Sequence, residues 1–313
     1  MLGRNPVVKV GRLLMETAGS ALRAEPPSPT DASPLLCMRA EGKRVPFFCV
    51  HALLGSAFHF HALSQLLDPD QPFYALQAPG LDGVEGTVNR IEDFAAFYLR
   101  HIREICPAGP YRLGGYSFGG LVAFEIARQL AQAGQEVSHL VIFGTDTPIA
   151  TSNPKAFQAL SFAGAFCRDF HKNMVMPFFS YDRRMGAFDR GPAGRRAERQ
   201  SPQTGSFLWQ DNEEAVAGTN APLMGLSPAM IRLFGAHCLS AARYNPRPYP
   251  GQIFLLETLE QQILNPLDAA RGWDRLAAGG VKTAVVSGNH LSMLDEPHIR
   301  NLAQTLDRIL AEP

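Results

Sequence analysis

The sequence predicts an α/β fold, with a mostly parallel sheet covered by helices on both faces and interrupted by one long insertion. Three observations lead there. Between residues 34 and 148, short apolar runs alternate with helical patterns, the signature of a parallel sheet buried on both sides. That rhythm breaks from 149 to about 234, then resumes at about 235 with two more strand patterns and a terminal helix. A Gly-x-Ser-x-Gly segment, Gly115-Tyr116-Ser117-Phe118-Gly119, stands where a strand pattern gives way to a helical one. The 313 residues, 46% of them hydrophobic, suffice for one large domain of this class.

Taken in order, residues 1 to 33 read as a short amphipathic helix, residues 7 to 22, and a Pro/Ser linker, Glu25-Pro26-Pro27-Ser28-Pro29-Thr30-Asp31. The apolar core of that helix is too short for a secretory signal. Phe47-Phe48-Cys49-Val50 predicts a first core strand ending at His51, and Phe73-Tyr74-Ala75-Leu76 a second. Tyr111-Arg112-Leu113 approaches the Gly-x-Ser-x-Gly turn. The helix after it, Leu121 to Ala133, carries apolar residues at Leu121, Phe124, Ala127 and Leu130 and stops at Gly134 in C-cap fashion. Leu140 to Phe143 is the next strand, Gln252 to Leu256 the strand after the insertion, and Val285-Val286 part of the last. Ile299 to Leu310 closes the pattern as a helix.

The chemistry concentrates at Ser117. A nucleophile on a sharp strand-to-helix turn needs room two residues before and after it, which Gly115 and Gly119 provide. The following helix points its N-terminus at the hydroxyl, where dipole and free N–H groups favour developing negative charge. Among nine histidines the base is expected at His290, in a loop after the last strand, following the order serine, acid, histidine of α/β-hydrolases. His298 falls in the first turn of the terminal helix, and His237 and His171 fall in helical stretches that suit packing or surface roles. His51 ends its strand too early in the chain for the base and suits shaping of the oxyanion loop. One oxyanion donor is expected from the Phe118 amide.

The insertion carries Phe157, Phe162, Phe166, Phe170, Met174 and Met176 in a dense aromatic and Met-rich stretch. These residues suit a lid lining a channel for a large apolar chain, or simply the docking face of lid helices. The arginines between 183 and 199, spaced by Gly and Pro, suit a solvated loop, or a surface for an acidic partner or a phosphate.

Composition excludes several classes. Lys+Arg and Asp+Glu are equal at 29 each, so no global field draws nucleic acid or membrane. Five cysteines without paired or metal-ligand spacing point to reduced thiols and a cytoplasmic setting, with no metal site. No apolar run is long enough to span a bilayer.

With those residues in view, the chain from about 34 to 310 resembles the thioesterase domains that end non-ribosomal peptide synthetases and polyketide synthases. The similarity rests on Pro46 to His51, Pro72 to Leu81, the near-consensus Gly109 to Gly120, Ala242-Arg243-Tyr244 with Arg247 to Gly251, and Gly288 to Leu294. It implies an α/β-hydrolase fold over 34 to 313, a lid over about 149 to 234, and an upstream carrier domain joined through residues 1 to 33. It implies an acyl, peptidyl or polyketide chain delivered on a 4'-phosphopantetheine arm, with no cofactor bound by the domain itself. Alignment places the second oxyanion donor at Leu53, in a turn, Ala52-Leu53-Leu54, bulkier than the usual one and expected to narrow the entrance. His51, Tyr116, Phe166 and Phe170 are the expected substrate-binding residues. A stand-alone editing thioesterase, and a carboxylesterase or lipase acting on oxygen esters, are the alternatives.

The acid departs from the family pattern. The usual register from the serine lands on Gly144, and the nearest carboxylate, Asp146, comes two residues later in Gly144-Thr145-Asp146-Thr147-Pro148. Editing relatives place their acid after the following strand, where this chain has Glu257 and Glu260. Asp146 is the favoured choice, although Asp-Thr-Pro also suits a helix cap or Asx-turn.

Overall fold

The computed structural model describes residues 33–81, 88–147, 228–264 and 268–312, all within one of the chain's two compact units. The N-terminal segment, Phe166, Phe170 and almost all of the expected lid lie outside the described residues. The strands are β1 (Leu35–Arg39), β2 (Phe47–Val50), β3 (Phe73–Leu76), β4 (Tyr111–Tyr116), β5 (Val137–Phe143), β6 (Ile253–Thr258) and β7 (Val281–Val286). The helices are α1 (Phe60–Leu66), α2 (Ile91–Ile105), α3 (Phe118–Gln132), α4 (Pro228–Arg243), α5 (Leu259–Leu264) and α6 (His298–Leu310), with a 3-10 turn at Trp273–Arg275. The sheet runs in the order β1-β3-β2-β4-β5-β6-β7. Among the described strands only β1 pairs antiparallel, against β3, and the other pairings are parallel. This is the α/β arrangement that the sequence predicts. Among the described residues no helix is long and apolar enough to cross a membrane.

The central strands are buried throughout because helices cover both faces. On β2, Phe48 and Val50 join one core with α2, α3 and part of α4, while Phe47 and Cys49 join the other with α1 and α6. That split follows from the two-residue period of a strand. Helix α2 buries Ile91, Phe94, Ala95, Tyr98 and Ile102, a helical stripe, and carries Glu92 and Asp93 in its first turn, where they complement the dipole. Helix α3 is buried along most of its length and ends at Gly134, whose φ of 69° is the left-handed cap read from the sequence. The N–H of Gln135 donates to Leu130 O at 2.9 Å and completes that cap.

Parallel strands all end at one sheet edge, so the turns after β2, β4, β5, β6 and β7 gather there. Those turns hold His51, Ser117, Gly144, Glu257 at the tip of β6, and His290. Ligands of open α/β sheets bind outside these carboxyl ends.

Candidate active site

Ser117 sits between β4 and α3 with φ 56° and ψ −120°, a left-handed conformation that costs a non-glycine residue strain. The neighbours over-determine it. A Cβ on Gly115 would lie 2.0 Å from Gly119 O, and one on Gly119 would lie 2.3 Å from Val50 O. The Ser117 N–H donates to Phe143 O at 3.1 Å, and its carbonyl accepts from Thr145 Oγ1 at 2.8 Å. The fold therefore holds the strained turn from both β4 and β5.

His290 Nε2 lies 3.2 Å from Ser117 Oγ. The loop bearing it is an Asx-turn: Asn289 Oδ1 accepts from the N–H groups of Leu291 and Ser292, both at 3.0 Å. The Tyr116 ring packs tilted against the imidazole, with centroids 5.2 Å apart and planes at 36°, and its hydroxyl donates to the His290 carbonyl. Burial, then the charge of Asp295, pushes the Tyr116 phenol up, so that hydroxyl keeps its proton. Tyr116, expected at the substrate, thus grips the backbone of His290.

His51 is also placed differently from a substrate-lining residue. It is fully buried, with Nδ1 2.6 Å from Ala52 O and Nε2 2.7 Å from the Tyr98 hydroxyl. Burial, then the neighbouring His237, hold its pKa well below the usual histidine value, so it stays neutral and shapes the turn after β2. The Leu53 side chain is buried in the core. Its bulk therefore goes inward, while Ala52 and Leu54 are half-buried.

The structure does not bring Asp146 onto His290. Its half-exposed carboxylate bonds Arg271 Nη1, and the buried Glu257 accepts from Arg271 Nε at 2.5 Å. One guanidinium thus holds both candidate acids. Among the described residues Gly144 faces His290 Nδ1, where an added Cβ would lie 3.0 Å away, in agreement with the register counted from the serine. Gln261 fills the gap: its Nε2 lies 3.4 Å from Nδ1 and donates to Gly144 O at 3.2 Å, while Oε1 accepts from the Thr258 N–H at 3.0 Å. Sequence reading passed over Arg271 and Gln261. Arg271 is 125 residues from Asp146 and Gln261 is 117 from Gly144, so no local pattern announces either contact. Among the described residues no group of three or more His, Cys, Asp or Glu side chains is placed to hold a metal ion.

The family comparison agrees with this geometry: residues 45–173 match the model of the thioesterase domain. Over that stretch, less than half of the chain, the sequence is similar to the thioesterase domain. Its curated relatives include malpinin synthetase of Mortierella alpina, 40% identical over 121 residues, which are 39% of this chain and 2% of that protein. The dimodular nonribosomal peptide synthase of Bacillus subtilis is 40% identical over 126 residues, 40% of this chain and 5% of that one. The match thus spans only a small fraction of either synthetase. Among solved structures, the NocB thioesterase domain of the nocardicin cluster overlays with TM-score 0.62 at 24% identity, covering 89% of this chain and 99% of that one. The Vlm2 thioesterase domain bound to a dodecadepsipeptide gives TM-score 0.55 at 20% identity, covering 90% and 99%. At these identities the overlays speak for the fold alone.

Proposed function

We propose that this thioesterase domain releases an acyl or peptidyl chain from a phosphopantetheinyl carrier protein, with Ser117 as nucleophile and His290 as base. The observation that carries the reading is the Ser117 Oγ to His290 Nε2 contact of 3.2 Å on a strained elbow. Its support from outside the site is the resemblance to synthetase termini.

In the first half-reaction His290 takes the Ser117 proton as Oγ attacks the thioester carbonyl. The amides of Phe118 and Leu53 receive the oxyanion. The carbon–sulfur bond breaks, and the thiolate leaves with the proton from His290. Water, or a nucleophile within the acyl chain, repeats the sequence on the ester and restores Ser117. The chemistry draws on the chain's own groups and needs no bound cofactor. Gln261 and Tyr116 hold His290 at Nδ1 and at its carbonyl, so Asp146 enters the triad only by exchanging Arg271 for His290. A cytoplasmic setting, where carrier-linked synthesis takes place, suits five cysteines that show no paired spacing in the sequence.

Two measurements test this. A fluorophosphonate is expected to label Ser117 and to leave Ser117→Ala unlabelled; equal labelling of both proteins removes Ser117 from the mechanism. Turnover of a carrier-bound thioester is expected to exceed that of the same acyl group as a free oxygen ester, and the reverse preference would make the protein an esterase.

A further inference from the structure

His237, on α4, touches both residues whose amides are the proposed oxyanion donors. Its Nδ1 lies 2.7 Å from Leu53 O, and because a carbonyl only accepts, Nδ1 carries the ring proton. Its ring lies flat against Phe118, with centroids 4.4 Å apart and planes at 16°. On the Leu53 side it stacks with His51 at 5.1 Å. His237 is fully buried, and burial lowers its pKa to about 4, against the pull of the Leu53 carbonyl. It is a neutral, single-tautomer donor at neutral pH.

The two histidines bracket Leu53. His51 Nδ1 holds Ala52 O at 2.6 Å, and the Gly55 N–H holds the same oxygen at 2.9 Å. In a trans peptide the carbonyl and the next N–H point opposite ways, so anchoring Ala52 O aims the Leu53 N–H. His237 anchors the following carbonyl and fixes the second face of the same residue. Among the described residues no hydrogen bond uses the Leu53 N–H, and the Phe118 N–H, at the first position of α3, has no intrahelical partner. Packing alone does not explain the residue. A phenylalanine would fill the space without leaving a buried ring nitrogen that, among the described residues, is unbonded, as Nε2 of His237 is.

We propose that His237 is a positioning residue that fixes the Leu53 and Phe118 amides as the two oxyanion donors. This rests on the acyl-transfer reading above. The variants that separate its parts are His237→Phe, which keeps the stack and loses the donor, and His237→Asn, which puts an amide donor near the Nδ1 position. Removing an oxyanion donor outright costs about a hundred- to thousandfold in kcat, so a loosened one is expected to cost roughly ten- to hundredfold.

For His237→Phe we expect that fall in kcat with KM within about twofold. We also expect an equal loss of affinity for a trifluoromethyl ketone analogue, whose tetrahedral adduct carries the oxyanion. His237→Asn is expected to recover most of both. Should His237→Phe turn over like the wild type, or lose kcat without losing analogue affinity, the proposal is overturned; should it fail to fold, a folded His237→Asn with a tenfold or greater loss of both quantities overturns it. A wild-type protein that neither labels at Ser117 nor turns over any thioester overturns the acyl-transfer reading instead.

Discussion

Replacing Asp146 by asparagine separates two accounts of the site. Arg271 is buried to 4% exposure, as is Glu257 to 1%, whereas the Asp146 side chain is 53% exposed. An ion pair with one partner in solvent contributes about 0–1 kcal/mol. Losing Asp146 therefore costs little, because Glu257 still neutralises the guanidinium. Arg271→Met is different: it leaves Glu257 buried without its partner, a loss of about 3–5 kcal/mol. For a domain of this size each kcal/mol moves the melting temperature by about 2–4 °C. Asp146→Asn is then expected to melt within ~4 °C of wild type, and Arg271→Met at least ~6 °C lower.

On activity, Asp146→Asn leaves the Ser117–His290 contact and the Gln261 contact intact, so kcat against an acyl thioester is expected to stay within about tenfold. In a serine protease triad the same exchange costs about four orders of magnitude, because the amide selects the wrong imidazole tautomer. A loss of a hundredfold or more in kcat at unchanged melting temperature would refute the static picture and place Asp146 on His290 during turnover.

The remaining predictions concern the elbow, the base and acid stability. Gly119→Ala is expected to abolish fluorophosphonate labelling, since its Cβ would sit 2.3 Å from Val50 O and 2.4 Å from His51 O; a variant that labels normally would show that the turn relaxes. Gln261→Glu puts a carboxylate beside His290 Nδ1, which is expected to raise the pKa of the base by about one unit or more. The acid limb of kcat/KM then moves to higher pH, and an unmoved profile counts against the contact. His237 is neutral in the fold with a pKa of about 4, while the unfolded chain protonates near 6.5. Stability is therefore full above that value and is lost as pH falls through this window, by about 2 kcal/mol at pH 5 from this residue. Urea midpoints at pH 7.5 and 5 measure it, and His237→Asn is expected to be less acid-sensitive.

How much was legible in the sequence follows from how local each signal is. Ser117 and the cap at Gly134 were legible because the elbow and the helix stop are built from neighbours in the chain. His290 was legible through its place after the last strand. The antiparallel β1 was not singled out, since Leu35 to Arg39 lies on a half-exposed sheet edge and lacks the dense apolar run of the inner strands. His237 passed as a packing residue because its helix shows only that it is inward, and its partner, the Leu53 carbonyl, lies 184 residues away. The contact that decides where the Asp146 carboxylate lies is remote in the same way. The acid's register on Gly144 was readable, but an arginine from the loop before Trp273 decides where the Asp146 carboxylate goes.

The contact between Ser117 and His290 joins residues 173 positions apart, and three strands, β5, β6 and β7, are laid beside β4 between them. A chain emerging from the ribosome can form the elbow early, since β4, α3 and β5 are sequential neighbours. It has no base to offer the serine until β6 and β7 have been added and the loop behind β7 has closed over Tyr116. On the proposed reading, Ser117 thus lacks its base until β7 is in place. A half-made copy would present a shaped turn, but no His290 beside it to take the proton.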